Sequence, residues 1–183
     1  MEITHVRASM LRGLRALVLQ RDGEGGWLDL VRTLPQEAQG AFLREPSLFT
    51  WLPTPQVNAL VAAFEARHGI GTTRPRVAAA VERELAGTHP WMLGLLNPVT
   101  LLQHADTVFH FYLRGGEIRL ETLGPGSACL LVRGTGLYSH WFSDSFPAWL
   151  QRALELMGAP SPGVSHQALE DGVSHRYRVS WEP

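Results

Sequence analysis

Apolar residues in the first half of the chain recur at helical spacing. Met10, Leu11, Leu14, Leu17 and Val18 form one stripe within residues 7–21, and Gly23 closes it. Residues 26–34 predict a short helix stopped by Pro35, and residues 35–44 predict another. In TPQVNALVAAFEARHG, Thr54 stands where a cap belongs, Pro55 takes the first helical position and Gly69 follows the end. An Ala-rich helix is expected over 75–86, from Pro75. Asn97-Pro98 then opens NPVTLLQHADTVFHFYLRGG, in which Leu101, Ala105, Val108, Phe109 and Tyr112 share a face and Gly115-Gly116 ends the helix.

After Gly116 the period changes to two. EIRLETL sets Ile118, Leu120 and Thr122 against Glu117, Arg119 and Glu121; GPG at 124–126 turns the chain; SACLLVRG returns as a more buried strand. Cys129 in that strand reads as a small apolar filler. SDSFPAWLQRALELMG predicts a helix capped by Ser143 or Ser145, with Pro147 in its first turn and Gly158 at its end. The last stretch, GVSHQALEDGVSHRYRVSW, is two strands about Asp171-Gly172. The order implies an α+β fold: an N-terminal helical lobe over about 1–115, then a hairpin–helix–hairpin over about 116–183, with one long helix between two hairpins of a small antiparallel sheet. A chain of 183 residues suits one domain.

The final hairpin repeats the triplet Val-Ser-His. With Asp171 and Gly172 as the loop, His166 faces Tyr177 and Ala168 faces His175. Alternation then gathers Val164, His166, Ala168, Val173, His175, Tyr177, Val179 and Trp181 on one apolar, aromatic side. Both histidines belong to the core side, where every ring nitrogen needs a partner. Two arrangements meet that need. The three polar rings line a ligand pocket, or they satisfy one another and the backbone in a dry core.

Composition narrows the chemistry. All sixteen cations among Lys and Arg are arginine, which excludes a Schiff-base or P-loop lysine. One cysteine excludes an intrachain disulfide and a Cys-rich zinc site, and points to a reducing cytoplasm. A net charge of -1 gives no general pull toward nucleic acid, and no apolar run is long enough to span a membrane. The N-terminus, interrupted by arginine, does not read as a signal peptide. No Gly-x-Ser-x-Gly elbow accompanies His140, although Tyr138, His140 and Trp141 could border a pocket mouth. His104 and His110 do not share a face as a zinc pair would, and His110 falls on the polar face. His5, His68 and His89 flank helices. Six tryptophans exceed what packing usually needs; they suit core packing, a flat hydrophobic ligand, or an interface in which arginine pairs with an exposed Trp.

NPVTLLQHADTVFHFYLRGGEIRLETL, FPAWLQRALELMGAPSPGVSH and HRYRVSW, together with the earlier SLFTWLPTPQVNALVAAFEARHG, resemble the myxobacterial paralogous family of unknown function. That family is similar in layout to vinyl-four-reductase-like domains and to haem nitric-oxide/oxygen-binding domains, which share their fold with vesicle-tethering subunits. The resemblance implies an apolar pocket between a helical lobe and a sheet, and sensing, binding or scaffolding more than catalysis. It also marks departures. The final hairpin carries Ala168 and His175 and none of the cysteines of the vinyl-four-reductase-like pattern. The Tyr-x-Ser-x-Arg motif of the haem-binding relatives is absent.

The expectation is a non-enzymatic sensor or binding domain for a small hydrophobic or aromatic ligand. Its candidate lining residues are Trp51, Phe109, Tyr112, His166, His175 and Tyr177, with no catalytic or metal site and no required cofactor. The alternatives are a scaffold or regulatory subunit working as a homodimer or through a partner protein, and a haem or metal sensor using His104 or His175.

Overall fold

A computed structural model describes residues 1–69, 81, 97–136 and 139–182. The expected helix over 75–86, His89, Tyr138 and the His140 side chain lie outside what it describes. The elements in order are β1 (His5–Arg7), a 3-10 turn (Ala8–Leu11), α1 (Arg12–Arg32), α2 (Gln36–Phe42), β2 (Trp51–Pro53) and α3 (Thr54–His68). These are followed by α4 (Pro98–Gln103), α5 (Ala105–Tyr112), β3 (Leu113–Arg114), β4 (Glu117–Gly124), β5 (Ser127–Arg133), α6 (Ser139–Leu156), β6 (Gly163–Ala168) and β7 (Ser174–Ser180). The class is α+β, with the helical lobe preceding the sheet.

The first stripe and the helix after it run together. α1 kinks at Gly23, whose φ of 71° no other residue adopts without strain, so the break falls where the apolar stripe ended. Thr54 does not cap α3. Its hydroxyl donates to the Ile3 carbonyl at 3.1 Å and ties the helix to the chain before β1. Asn97 caps as its position implies, accepting from the Thr100 amide at 2.8 Å. The helix it opens is not continuous. It breaks at His104, where the backbone leaves helical geometry and the ring Nδ1 lies 2.9 Å from the Thr100 carbonyl.

Four strands pair antiparallel in the order β4-β5-β7-β6. α6 lies between β5 and β6 in sequence and packs over the sheet. Ala128, Leu130, Val132, Tyr177 and Val179 face Phe142, Phe146, Leu150, Ala153 and Leu154, all of them buried. α6 starts at Ser139, earlier than its sequence signals, so Pro147 is interior rather than in the first turn. A second sheet, of three short strands in the order β2-β1-β3, had no period-two signal to announce it. The two sheets are sewn together by the N-terminus: Ile3 N–H donates to Gly134 O and Thr4 N–H to Arg114 O, both at 2.8 Å. Gly115, at φ 77°, lets the chain pass there, because a Cβ would collide with the Glu2 carbonyl.

Candidate functional site

The helical lobe and the sheet do not close completely on each other. Between them is a cavity of about 150 Å³. Met10, Leu14 and Leu17 enter from the first stripe, Val61 and Phe64 from α3, and Leu101, Leu102 and Ala105 from the broken helix. Phe109, Tyr112, Ile118 and Leu130 form the wall toward the sheet, and Trp141, Phe146, Trp149 and Leu150 close it from α6. The α6 aromatics are mutually braced: Phe146 and Trp149 stack at 5.9 Å with 8° between their planes, and Trp149 meets Tyr112 edge-on at 6.5 Å. Among the described lining residues Glu65 is the only charged one and Ser145 the only aliphatic hydroxyl.

Phe109 and Tyr112 line this cavity; Trp51, His166, His175 and Tyr177 do not appear in its wall. The hairpin register is the one expected, His166 opposite Tyr177 and Ala168 opposite His175. Its loop is longer than two residues. Leu169 N–H donates to Ser174 O and Gly172 N–H to Leu169 O, so residues 170–173 make the turn. Asp171 closes it by accepting from the Val173 and Ser174 amides and from the Ser174 hydroxyl at 2.6 Å. Those bonds, the Ser174 hydroxyl foremost, hold the Asp171 carboxyl below its ordinary range. Two- and four-residue loops centred on the same bond give one register, which is why the facing pairs follow either way.

Tyr177 is fully buried. Its ring packs on Phe146 at 4.9 Å and its hydroxyl donates to the Phe142 carbonyl at 2.7 Å. Burial pushes that phenol far above its usual range, so it stays protonated and remains a donor. His175, also buried, has Thr135 and His166 among its partners. Thr135 donates its hydroxyl proton to Val173 O at 3.0 Å and therefore faces His175 Nε2, 3.1 Å away, as an acceptor. His175 Nε2 then carries the proton and Nδ1 is bare. The bare Nδ1 accepts from His166 Nε2 at 2.9 Å. Protons thus point one way, from half-buried His166 through His175 to Thr135 and Val173. Burial lowers the affinity of both imidazoles for a second proton, and for His175 the neighbouring His166 adds to it. Thr135 was not legible as a partner from sequence. Its only signal is its place between Gly134 and Gly136, two residues past a buried strand.

Trp51 belongs to the outward face of the three-stranded sheet, beneath the guanidiniums of Arg7 and Arg114. Cys129 is half-buried on the outer face of the four-stranded sheet and is not a core filler. A bulge between Leu120 and Thr122 turns Glu121 onto that face, where it accepts from Cys129 Sγ at 3.3 Å and from Arg176 twice. Burial and the neighbouring carboxylate raise the thiol above its usual range. His110 is exposed beside Asp106, in keeping with its polar-face position.

Haem would need an axial donor, cations for its carboxylates and a slot for its ring. Among the described residues no imidazole or thiol faces the cavity, no arginine lines it, and its volume is below the roughly 300–1,000 Å³ of sites for drug-sized ligands. His104 is exposed on the far side of the helix break. Among the described residues that line the cavity, none supplies that donor or those cations. No group of three metal-ligating side chains occurs among the described residues, and none of the described helices is long and apolar enough to cross a membrane.

Residues 65–182 match the model of a family described as a protein of unknown function, DUF2378. No curated protein matches the sequence. Solved structures are similar over nearly the whole chain. The Fe(II) unliganded H-NOX protein from K. algicida aligns with a TM-score of 0.72 at 13% identity, covering 97% of both chains. An oxygen-binding H-NOX domain related to soluble guanylate cyclases, solved as its oxygen complex, aligns at 0.67 and 10%, covering 97% of this chain and 95% of its own. A mutant of T. tengcongensis H-NOX aligns at 0.63 and 11%, covering 97% and 98%. At these identities the likeness shows the fold.

Proposed function

From a chain that belongs to the DUF2378 family of unknown function and folds as H-NOX domains do, we propose a non-enzymatic binding or sensor domain whose ligand is a small apolar molecule of about one aromatic ring. The cavity carries this reading. An apolar void of about 150 Å³ stays dry and accepts benzene or xenon in a protein engineered to contain one, and the void here has that size and an apolar lining. Its walls come from both lobes, so occupancy would be felt by the helices and the sheet together. No nucleophile–base pair faces it among the described residues, which favours binding over turnover.

Benzene and indole are the probes. Each should raise the thermal midpoint and shift the indole N–H resonances of Trp141 and Trp149. A ligand present at a hundred times its Kd adds about 2.7 kcal/mol, or roughly 5–11 °C for a domain of this size. Ala105→Phe, which projects a ring into the void, should abolish both effects. Absence of any shift with either probe, or a histidine-ligated Soret band on adding haemin, would overturn the proposal.

A further inference from the structure

The outward face of the three-stranded sheet is built differently from the rest of the surface. Its inward residues, Val6, Leu52 and Leu113, are buried. Register places His5, Arg7, Trp51, Pro53 and Arg114 on the opposite side. There the Arg7 guanidinium lies 4.6 Å from the centre of the Trp51 ring and 4.2 Å from that of Phe111, with Phe49 at 5.7 Å. Arg114 lies over the same indole at 4.3 Å. Two cations therefore share one ring, with Phe49 beside them 64% exposed.

Arg15 pairs with Glu45 and Arg176 with Glu121, but no such pair forms at Arg7 or Arg114 among the described residues. The Nε of Arg7 is buried and has no hydrogen-bond partner. Like charges held together on a partly desolvated aromatic bed repel each other, and an anion would relieve the repulsion. Arginine, tryptophan and an exposed phenylalanine are also the residues that dominate protein interfaces. The guanidinium fork matches a carboxylate in two-point geometry. The basic patch is two arginines wide on a chain of net charge -1, too narrow for a polyanion or an anionic membrane and suited to one or two carboxylates beside an apolar side chain.

We propose that the Arg7–Trp51–Arg114 face docks an acidic segment of a partner protein, its carboxylates held by the two guanidiniums and a neighbouring apolar side chain set against Phe49. This surface is separate from the cavity, which contains none of Arg7, Trp51 and Arg114.

The test uses the whole chain and a short fluorescein-labelled peptide alternating glutamate and phenylalanine, beside the same peptide with lysine for glutamate. Polarisation should rise with the acidic peptide only, and fall as salt is added. Arg114→Gln, at an exposed position, should weaken binding about tenfold or more. Arg114→Lys, which keeps the charge and loses the fork, should recover only part of it. Arg7→Gln is read only if its far-UV spectrum and thermal midpoint match the parent. Benzene binding should be untouched in Arg114→Gln, so failure of the docking face and failure of the cavity are separately visible. Equal binding of both peptides, no binding of the acidic one, unchanged affinity in Arg114→Gln, or self-association that Arg114→Gln abolishes without any effect of peptide, would each overturn the proposal.

Discussion

Thr135→Val isolates the proton relay beneath the final hairpin. The substitution keeps the shape and removes one hydroxyl that performs two tasks: it donates to Val173 O at 3.0 Å and accepts from His175 Nε2 at 3.1 Å. Loss of the first bond is a minor cost, about 1 kcal/mol, because the Thr135 amide still donates to the same carbonyl. Loss of the second is larger. Thr135 and His175 are both buried, so the imidazole loses a partner away from water, at about 1–3 kcal/mol. Together these come to about 2–4 kcal/mol and should lower the thermal midpoint by about 4–16 °C for a domain of this size. Thr135→Ser, which keeps the hydroxyl, should lose much less. The decisive measurement is a double-mutant cycle by urea unfolding with His175→Leu. Once the imidazole is gone that bond is already absent, so Thr135→Val should then cost about 1 kcal/mol or less, leaving a coupling of about 1–3 kcal/mol. The same cost in both backgrounds, or a Thr135→Val protein within about 0.5 kcal/mol of the parent, would refute the assigned direction of the protons.

Two further outcomes follow from the same packing. His166 and His175 both bind a proton less readily folded than unfolded. The unfolded chain therefore takes up protons first as pH falls below about 6.5, so stability is full above that value and declines below it, with a limiting slope of about 1.4 kcal/mol per pH unit for each imidazole. Urea midpoints between pH 5 and 8 should fall more steeply for the parent than for His166→Gln/His175→Leu; parallel curves would contradict it. Phe146→Ala removes a ring that touches Trp141, Phe142, Trp149 and Tyr177, and should cost about 3–5 kcal/mol. It should also let naphthalene raise the midpoint of the variant while leaving the parent unmoved. Equal response of the two proteins would separate this ring from the cavity wall.

Most of the larger architecture was legible because it rests on period and punctuation. The Gly23 break, the Asn97 cap, the turn at Pro125-Gly126 and the facing pairs of the last hairpin are local signals, and tertiary packing did not override them. What escaped depends on partners distant in sequence. Strands of two or three residues, such as Leu113–Arg114 and Trp51–Pro53, are too short to show alternation, and they pair only because residues 1–7 run between them. Thr54 had the residue type of a cap but found Ile3 O, 51 positions away. Cys129 looked buried because its neighbours are, and a single bulged residue on the paired strand decided its surroundings. Trp51 and Phe109 are both aromatic residues beside helix signals, and only the fold sends one to an arginine-covered sheet face and the other to the cavity wall.

The polar rings of the hairpin bear on the cavity without entering it. Had Tyr177 turned its hydroxyl toward the void, the wall would carry a buried donor that only a polar ligand could satisfy. Instead the hydroxyl is spent on the Phe142 carbonyl, inside a helix already missing one amide donor at Pro147. The imidazole protons are spent in line on His175 and Thr135. Each bond turns a polar atom away from the interface between the lobes and leaves ring faces behind Phe142 and Phe146, the aromatics that stand between the hairpin and the void. A satisfied hydrogen-bonded layer is thus what allows the layer above it to be apolar. The same logic explains why a sequence with two histidines and a tyrosine on one face of a hairpin can build an apolar cavity whose wall includes none of them.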